Sequence, residues 1–266
     1  MAKNTVLTLK KKVDEGGKVT MVTSYDYTMA ALVEEAGIDM ILVGDSLGMT
    51  MMGYDSTIPV TMDDMVHHTR CVTRATSNTF VVGDMPFLSY EQDVATAVSN
   101  AGRLMKEGRC QAVKLEGGIE VCPQVKAMVE AGIPVVGHIG LTPQSVNAFG
   151  GFKVQGKSAK AAKKLVADAL ALEQAGAFAI VLECVPANLG AYITEQLTSA
   201  FTIGIGAGAG TDGQVLVLQD MLGMNDGFKP KFLRHYAELS SVISDAVAHY
   251  VSDVRDGEFP NAAECY

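Results

Sequence analysis

A (β/α)8 barrel is the fold class this sequence predicts, and three observations predict it. Eight short apolar runs alternate with helix-like segments over about 250 residues, the size of that barrel. Glycine recurs just ahead of the next run, in Ala36-Gly37, Glu107-Gly108, Ala131-Gly132 and Ala175-Gly176, where a residue closing a helix belongs. Five successive runs finish on an ionisable residue: Asp45, Asp84, Glu116, His138 and Glu183. A closed sheet gathers such strand ends at one mouth, whereas a doubly wound open sheet, the structural rival, spreads them along an edge.

The elements follow in order. The first run covers 19–24 and leads into a helix over 28–35. Ile41-Leu42-Val43 is the second run and ends in Gly44-Asp45. Thr61 with Asp64 three residues on has the pattern of a capping box, opening a helix over 61–76. Phe80-Val81-Val82 is the third run, ending in Gly83-Asp84, and a helix over 91–107 follows. Side chains in a strand alternate faces, so in the fourth run, 111–116, Lys114 and Glu116 point the same way. A helix over 120–130 precedes the run 134–138, one over 158–174 precedes 178–183, and one over 188–199 precedes 201–204. The run 214–218 completes the eight. A last helix is placed at 231–254, within a C-terminal helix and tail of about 231–266. No linker-like stretch interrupts the 266 residues, so 1–266 reads as a single domain with a sizeable core.

Composition narrows the function classes. The formal net charge is −9 with no Lys/Arg run, which argues against nucleic acid as a partner. Residues 1–18 are polar and lysine-dotted, without the apolar stretch of a signal peptide, and no apolar run approaches a membrane span. The five cysteines form no Cys-x-x-Cys pair, so neither a zinc cluster nor a disulfide framework is expected. The expected setting is cytoplasmic.

Three carboxylates on three successive strands carry the chemistry. Asp45, Asp84 and Glu116 would repel one another in a poorly solvated mouth unless a divalent cation and the ammonium of Lys114 offset them. Oxygen-only donors with room for water or substrate suit Mg²⁺ better than zinc. A single Gly-Asp would merely cap the element that follows; two of them, with Lys-x-Glu on the next run, favour a site. His138 admits three readings on its residue type alone: ligand, substrate contact, or satisfied strand-end histidine. Glu183 stands apart from the metal-side carboxylates and is a candidate general base, with a rim salt bridge as the bland alternative. Two connections stand out. The run 204–213 contains a formal G-x-G-x-x-G but leads into another strand instead of a helix, which excludes dinucleotide binding and leaves a close-approach loop over the mouth. The connection 139–157 is long enough for a lid or binding loop.

Several motifs together resemble one family. They are Val43-Gly44-Asp45-Ser46-Leu47-Gly48, Gly53-Tyr54-Asp55-Ser56-Thr57, Val60-Thr61-Met62-Asp63-Asp64-Met65, Val113-Lys114-Leu115-Glu116-Gly117-Gly118, Gly137-His138-Ile139-Gly140-Leu141-Thr142-Pro143-Gln144 and Gly204-Ile205-Gly206-Ala207-Gly208. Over about 22–222 the chain resembles the 3-methyl-2-oxobutanoate hydroxymethyltransferases, also called ketopantoate hydroxymethyltransferases. The resemblance implies a barrel enzyme at the first committed step of pantothenate synthesis. It would move a one-carbon unit from 5,10-methylenetetrahydrofolate to 3-methyl-2-oxobutanoate, giving 2-dehydropantoate through a Mg²⁺-stabilised enolate. It implies that Asp45, Asp84 and Glu116 bind Mg²⁺, that Asp45, Ser46, Asp84 and Lys114 hold the oxo acid, and that Glu183 accepts the proton. His138 would line the same pocket, and the chain would form a homo-oligomer, since the family often assembles as a decamer. A Mg²⁺ lyase or mutase acting on oxo acids would share the barrel and carboxylates, but the Lys-Lys-Cys-Gly-His motif of the isocitrate lyases is absent. A catalytically silent scaffold would be expected to lose Lys114 or Glu183, and both are present.

Overall fold

In the computed structural model, which describes residues 3–225, 227 and 229–266, eight parallel strands close into a barrel in chain order. They are β1 (Val19–Thr23), β2 (Met40–Val43), β3 (Phe80–Asp84), β4 (Ala112–Glu116), β5 (Val135–Gly140), β6 (Ala179–Glu183), β7 (Phe201–Ile205) and β8 (Gly213–Leu216). β1 pairs with both β2 and β8, which removes the sheet edges. The open-sheet alternative is thereby excluded.

Strand parity explains how the site is placed. The barrel interior is an apolar cluster that includes Val19 and Met21, Met40 and Leu42, Phe80 and Val82, Ala112, Val136, Ala179 and Val181, Phe201 and Ile203, and Val215. These residues recur at every second position, as one face of a strand requires. Counting on by two from Val82, Ala112, Val136 and Val181 reaches Asp84, Lys114 then Glu116, His138 and Glu183. The same face that fills the barrel with hydrocarbon therefore ends, at its C-terminal mouth, in ionisable groups. Asp45 lies beyond the end of β2, off that parity, and needs a turn to reach the mouth.

Glycine acts as expected in three of the four helix ends. Gly37, Gly132 and Gly176 have φ of 84°, 84° and 102°, the left-handed region that suits it. The helix expected over 91–107 is instead an α-helix, Val94–Arg103, continued by a π-turn, Leu104–Gly108. There Arg109, with φ 66°, takes the left-handed position. Residues 6–14, read from sequence only as polar, form helix Val6–Asp14, capped by Thr5 and Thr8. Its Val6, Leu9 and Val13, spaced three and four apart, turn one face to the barrel interior, where Leu9 is buried.

The chain divides into two compact units, Met1–Val217 and Leu218–Tyr266. The first holds the barrel and every candidate site residue. In the second, the helix placed at 231–254 is corrected to Leu239–Asp256. Residues ahead of it bond to the preceding short helix region instead of propagating a helix: Tyr236 N–H donates to Met221 O (2.8 Å) and Leu239 N–H to Leu222 O (2.9 Å). Among the described residues no helix is long and apolar enough to cross a membrane, and the five cysteines are free thiols.

Candidate active site

The mouth is built on register. Asp84 is the Cα partner of Lys114, and Glu116 of His138, so β3, β4 and β5 present neighbouring charges side by side. Lys114 Nζ lies 2.8 Å from Asp84 Oδ1 and 3.6 Å from Glu116 Oε1. His138 bridges two carboxylates, with Nδ1 3.4 Å from Glu116 Oε1 and Nε2 3.2 Å from Glu183 Oε2. The Asp45 N–H donates to Asp84 Oδ2 at 3.1 Å, which ties the turn after β2 to the end of β3. Asp45, Asp84, Lys114, Glu116 and His138 are each at most 5% exposed; Glu183 is more open, its side chain 17% exposed. Ser46 is half-buried, with its Oγ 2.9 Å from the hydroxyl of the buried Tyr25 at the end of β1. All seven residues singled out from the sequence are thus at or beside one mouth.

The charges are unevenly matched. Four carboxylates face one ammonium and one imidazole. Burial, then repulsion from Asp84 and Glu116, pushes the Asp45 carboxyl well above the usual carboxylate range. Asp84 is also raised, by burial and against the pull of Lys114. At Glu116 burial is outweighed by Lys114 and His138, and its carboxyl is lowered. Burial and the Lys114 charge both oppose protonation of His138, yet its contacts with Glu116 and Glu183 raise it to about 9. Lys114 Nζ is also 3.3 Å from His138 Nδ1, a contact that would ask the ring nitrogen to accept. With its pKa raised to about 9 the ring is protonated at neutral pH, so Nδ1 carries its own proton toward Glu116 and accepts none from Lys114. Two raised aspartates mark a pocket with more negative charge than its cations offset.

Two residues of the site were given no role from the sequence: Gln144, which closes the motif that begins at Gly137, and Tyr90. Gln144 is 4% exposed and Tyr90 1%. The chain turns sharply at Gly140, φ 97°, where a Cβ would stand 2.2 Å from Glu183 O, so only glycine fits. That turn returns the connection after β5 across the mouth as a 3-10 turn, Pro143–Ser145, with Gln144 inside. The expected lid segment 139–157 is thus in part an ordered wall of the site, and it also contains a short helix, Val146–Phe149. The glycine-rich run 204–213 does connect β7 to β8. Its close approach is to helix Ala187–Gln196: a Cβ on Gly210 would lie 2.6 Å from Ala191 Cβ.

Among the described residues no group of three or more His, Cys, Asp or Glu side chains is arranged to hold a metal ion. The three carboxylates expected from the sequence to bind a metal are held by Lys114, His138 and Gln144. The donor chemistry nonetheless fits a hard dication: buried carboxylate oxygens, an excess of negative charge, and Asp45 and Asp84 side by side.

A closed parallel barrel whose interior ends in buried carboxylates and cations at the C-terminal mouth is the plan of a (β/α)8 enzyme. Solved structures share that fold. A 2,3-dimethylmalate lyase of the PEP mutase/isocitrate lyase superfamily superposes with a TM-score of 0.64 at 15% identity, covering 96% of this chain and 89% of that one. A phosphonopyruvate hydrolase in complex with oxalate and Mg²⁺ gives 0.62 at 12% identity, covering 98% and 93%. Sequence resolves the family. The family model of ketopantoate hydroxymethyltransferase matches residues 3–262, and the chain belongs to that family. Among its relatives, the 3-methyl-2-oxobutanoate hydroxymethyltransferase of Enterococcus faecalis is 60% identical over 258 residues, 97% of this chain and 94% of the relative. The enzyme of the same name from Clostridium novyi is 58% identical over 264 residues, 99% and 96%.

Proposed function

We propose that this protein transfers a hydroxymethyl unit to 3-methyl-2-oxobutanoate, giving 2-dehydropantoate, with 5,10-methylenetetrahydrofolate as donor and Mg²⁺ as cofactor. The observation that supports it most is the buried mouth cluster, with Lys114 between Asp84 and Glu116, in a chain of this family. Asp45 and Asp84 are the residues to hold Mg²⁺ directly. Glu116, drawn to Lys114 and His138, would complete the site from behind. When bound, the ion supplies Lewis-acid stabilisation of negative charge developing on the oxo oxygen.

The chain's own residues do the rest. Lys114, buried and kept charged by Asp84, Glu116 and Asp45 against the effect of burial, gives a fixed positive field for an anionic oxo acid. A permanently charged amine is an anchor and not a Schiff-base nucleophile. Ser46, steadied by Tyr25, offers the acid a hydroxyl. Glu183, the most open carboxylate of the mouth, accepts the proton from C3, and the adjoining His138 orients it through the 3.2 Å contact. The exposed Val242, Ile243, Val247, Tyr250 and Val254 of helix Leu239–Asp256 support a homo-oligomer, since a face of that kind is suited to a subunit contact.

Incubating the purified protein with oxo acid, folate donor and Mg²⁺ should yield 2-dehydropantoate by NMR. Chelation should abolish turnover and added Mg²⁺ restore it. Absence of product under all conditions would overturn the reading, and full activity in metal-stripped protein would remove the metal from it.

A further inference from the structure

Gln144 bonds through its main-chain N–H and through both ends of its carboxamide. Its N–H donates to Glu116 Oε2 (3.0 Å), and its Nε2 donates to both Asp45 Oδ2 (2.8 Å) and Met85 O (2.9 Å). Its Oε1 accepts from the Tyr90 hydroxyl at 2.6 Å, and that hydroxyl accepts in turn from Glu116 N–H at 3.1 Å. The orientation of the carboxamide is therefore determined. With the amide turned over, Oε1 would face the Met85 carbonyl, an acceptor with no proton to give. That carbonyl demands the NH₂ end, and the Tyr90 O–H holds the other end.

The consequence falls on the carboxylates. Gln144 occupies one oxygen of Asp45 and leaves Oδ1 as the one it does not engage. It also occupies Glu116 Oε2, while Glu116 Oε1 faces Lys114 and His138. One residue thus holds one oxygen of Asp45 and one oxygen of Glu116. We infer that Gln144, locked by Tyr90, is the positioning residue that fixes the carboxylates of Asp45 and Glu116 for the cation. The inference rests on the metal reading proposed above and goes beyond it by assigning what sets the metal-side geometry.

The test uses Mn²⁺ as the probe, titrated into metal-stripped full-length protein without substrate, with free ion read by electron paramagnetic resonance. Gln144→Met keeps the length and removes the amide; Tyr90→Phe keeps the packing and removes the hydroxyl. Outer-shell partners of metal ligands typically contribute about 10–100-fold in affinity, so Gln144→Met should raise the Mn²⁺ Kd at least about tenfold. Tyr90→Phe should raise it by a smaller factor in the same direction, with both variants retaining the wild-type far-UV circular dichroism. Should Gln144→Met not fold, Tyr90→Phe decides. Folded variants with a Kd within twofold of the wild type overturn the positioning role. A wild-type protein that binds no Mn²⁺ overturns the metal reading itself, and this inference with it, a result separable from the first because it appears before any substitution is made.

Discussion

Replacing Lys114 with methionine removes a charge from the centre of the mouth and leaves its volume nearly unchanged. The lysine and both of its carboxylate partners have side chains no more than 3% exposed. Two unit charges 4 Å apart interact by about 4 kcal/mol at an effective dielectric of about 20. Breaking a buried pair by deleting one partner costs about 3–5 kcal/mol, a range of the same size. Lys114→Met should therefore lose about 3–5 kcal/mol at pH 7.5, or roughly 6–20 °C in melting temperature for a protein of this size. The sign of the pH dependence follows from Asp45 and Asp84. Burial raises both in the folded state, and losing the ammonium raises them further. A carboxyl raised on folding is penalised at high pH and relieved as it takes up a proton, so the deficit should shrink toward pH 5. The chain has no tryptophan, so urea unfolding is followed by circular dichroism, at one fixed protein concentration. Equal urea midpoints for variant and wild type at pH 7.5, or a deficit that grows toward pH 5, would refute the charge argument.

Two further substitutions probe the other side of the mouth. Glu183→Gln should keep binding 3-methyl-2-oxobutanoate and slow the exchange of its C3 proton for deuterium in heavy water by about 10²–10⁴-fold. Exchange at the wild-type rate would move the base elsewhere, with His138 first in line. His138, raised on folding to about 9, contributes stability that is complete below its ordinary value near 6.5 and is lost as pH rises through 9. The wild type should therefore lose up to about 3 kcal/mol across that window, a loss absent from His138→Gln. Parallel stability curves for the two proteins would show that the imidazole is not charged in the native state.

What the sequence made legible and what it hid divide along a physical line. Lys114, Glu116, His138 and Glu183 could be read because strand parity is a local rule. Once β4, β5 and β6 are recognised, the side on which each residue falls follows by counting. Asp45 was legible only as the end of an apolar run; its approach to Asp84 depends on a turn that counting does not describe. Gln144 and Tyr90 were hidden because each comes from an irregular connection, 54 positions apart, and meets the other only when the barrel closes. The same holds for 231–238. Its composition suits a helix, and the carbonyl that draws the Tyr236 N–H away belongs to Met221, far outside the reach of a helical turn. Helix Val6–Asp14 is a different omission: Val6, Leu9 and Val13 were visible at helical spacing, and the lysines between them obscured the pattern.

The division bears on how one barrel comes to serve different chemistries. Folds at 12–15% identity superpose on this one nearly end to end, so the strands and their closure place little constraint on the reaction. In this chain the parity of β3 to β6 delivers charged groups to the mouth, but it does not determine which oxygen of each carboxylate is offered to a ligand. That choice is made by Gln144, which the turn at Gly140 brings in from outside the sheet. A side chain at the end of a strand is aimed to within the freedom of its rotamers. Holding it closely enough for catalysis takes a second contact from a different direction. The connection after β5 supplies that contact to Asp45 and Glu116 together, from the side chain and the main chain of a single buried residue. Specificity in this fold then resides as much in a few loop-borne hydrogen-bond donors as in the acidic residues they hold.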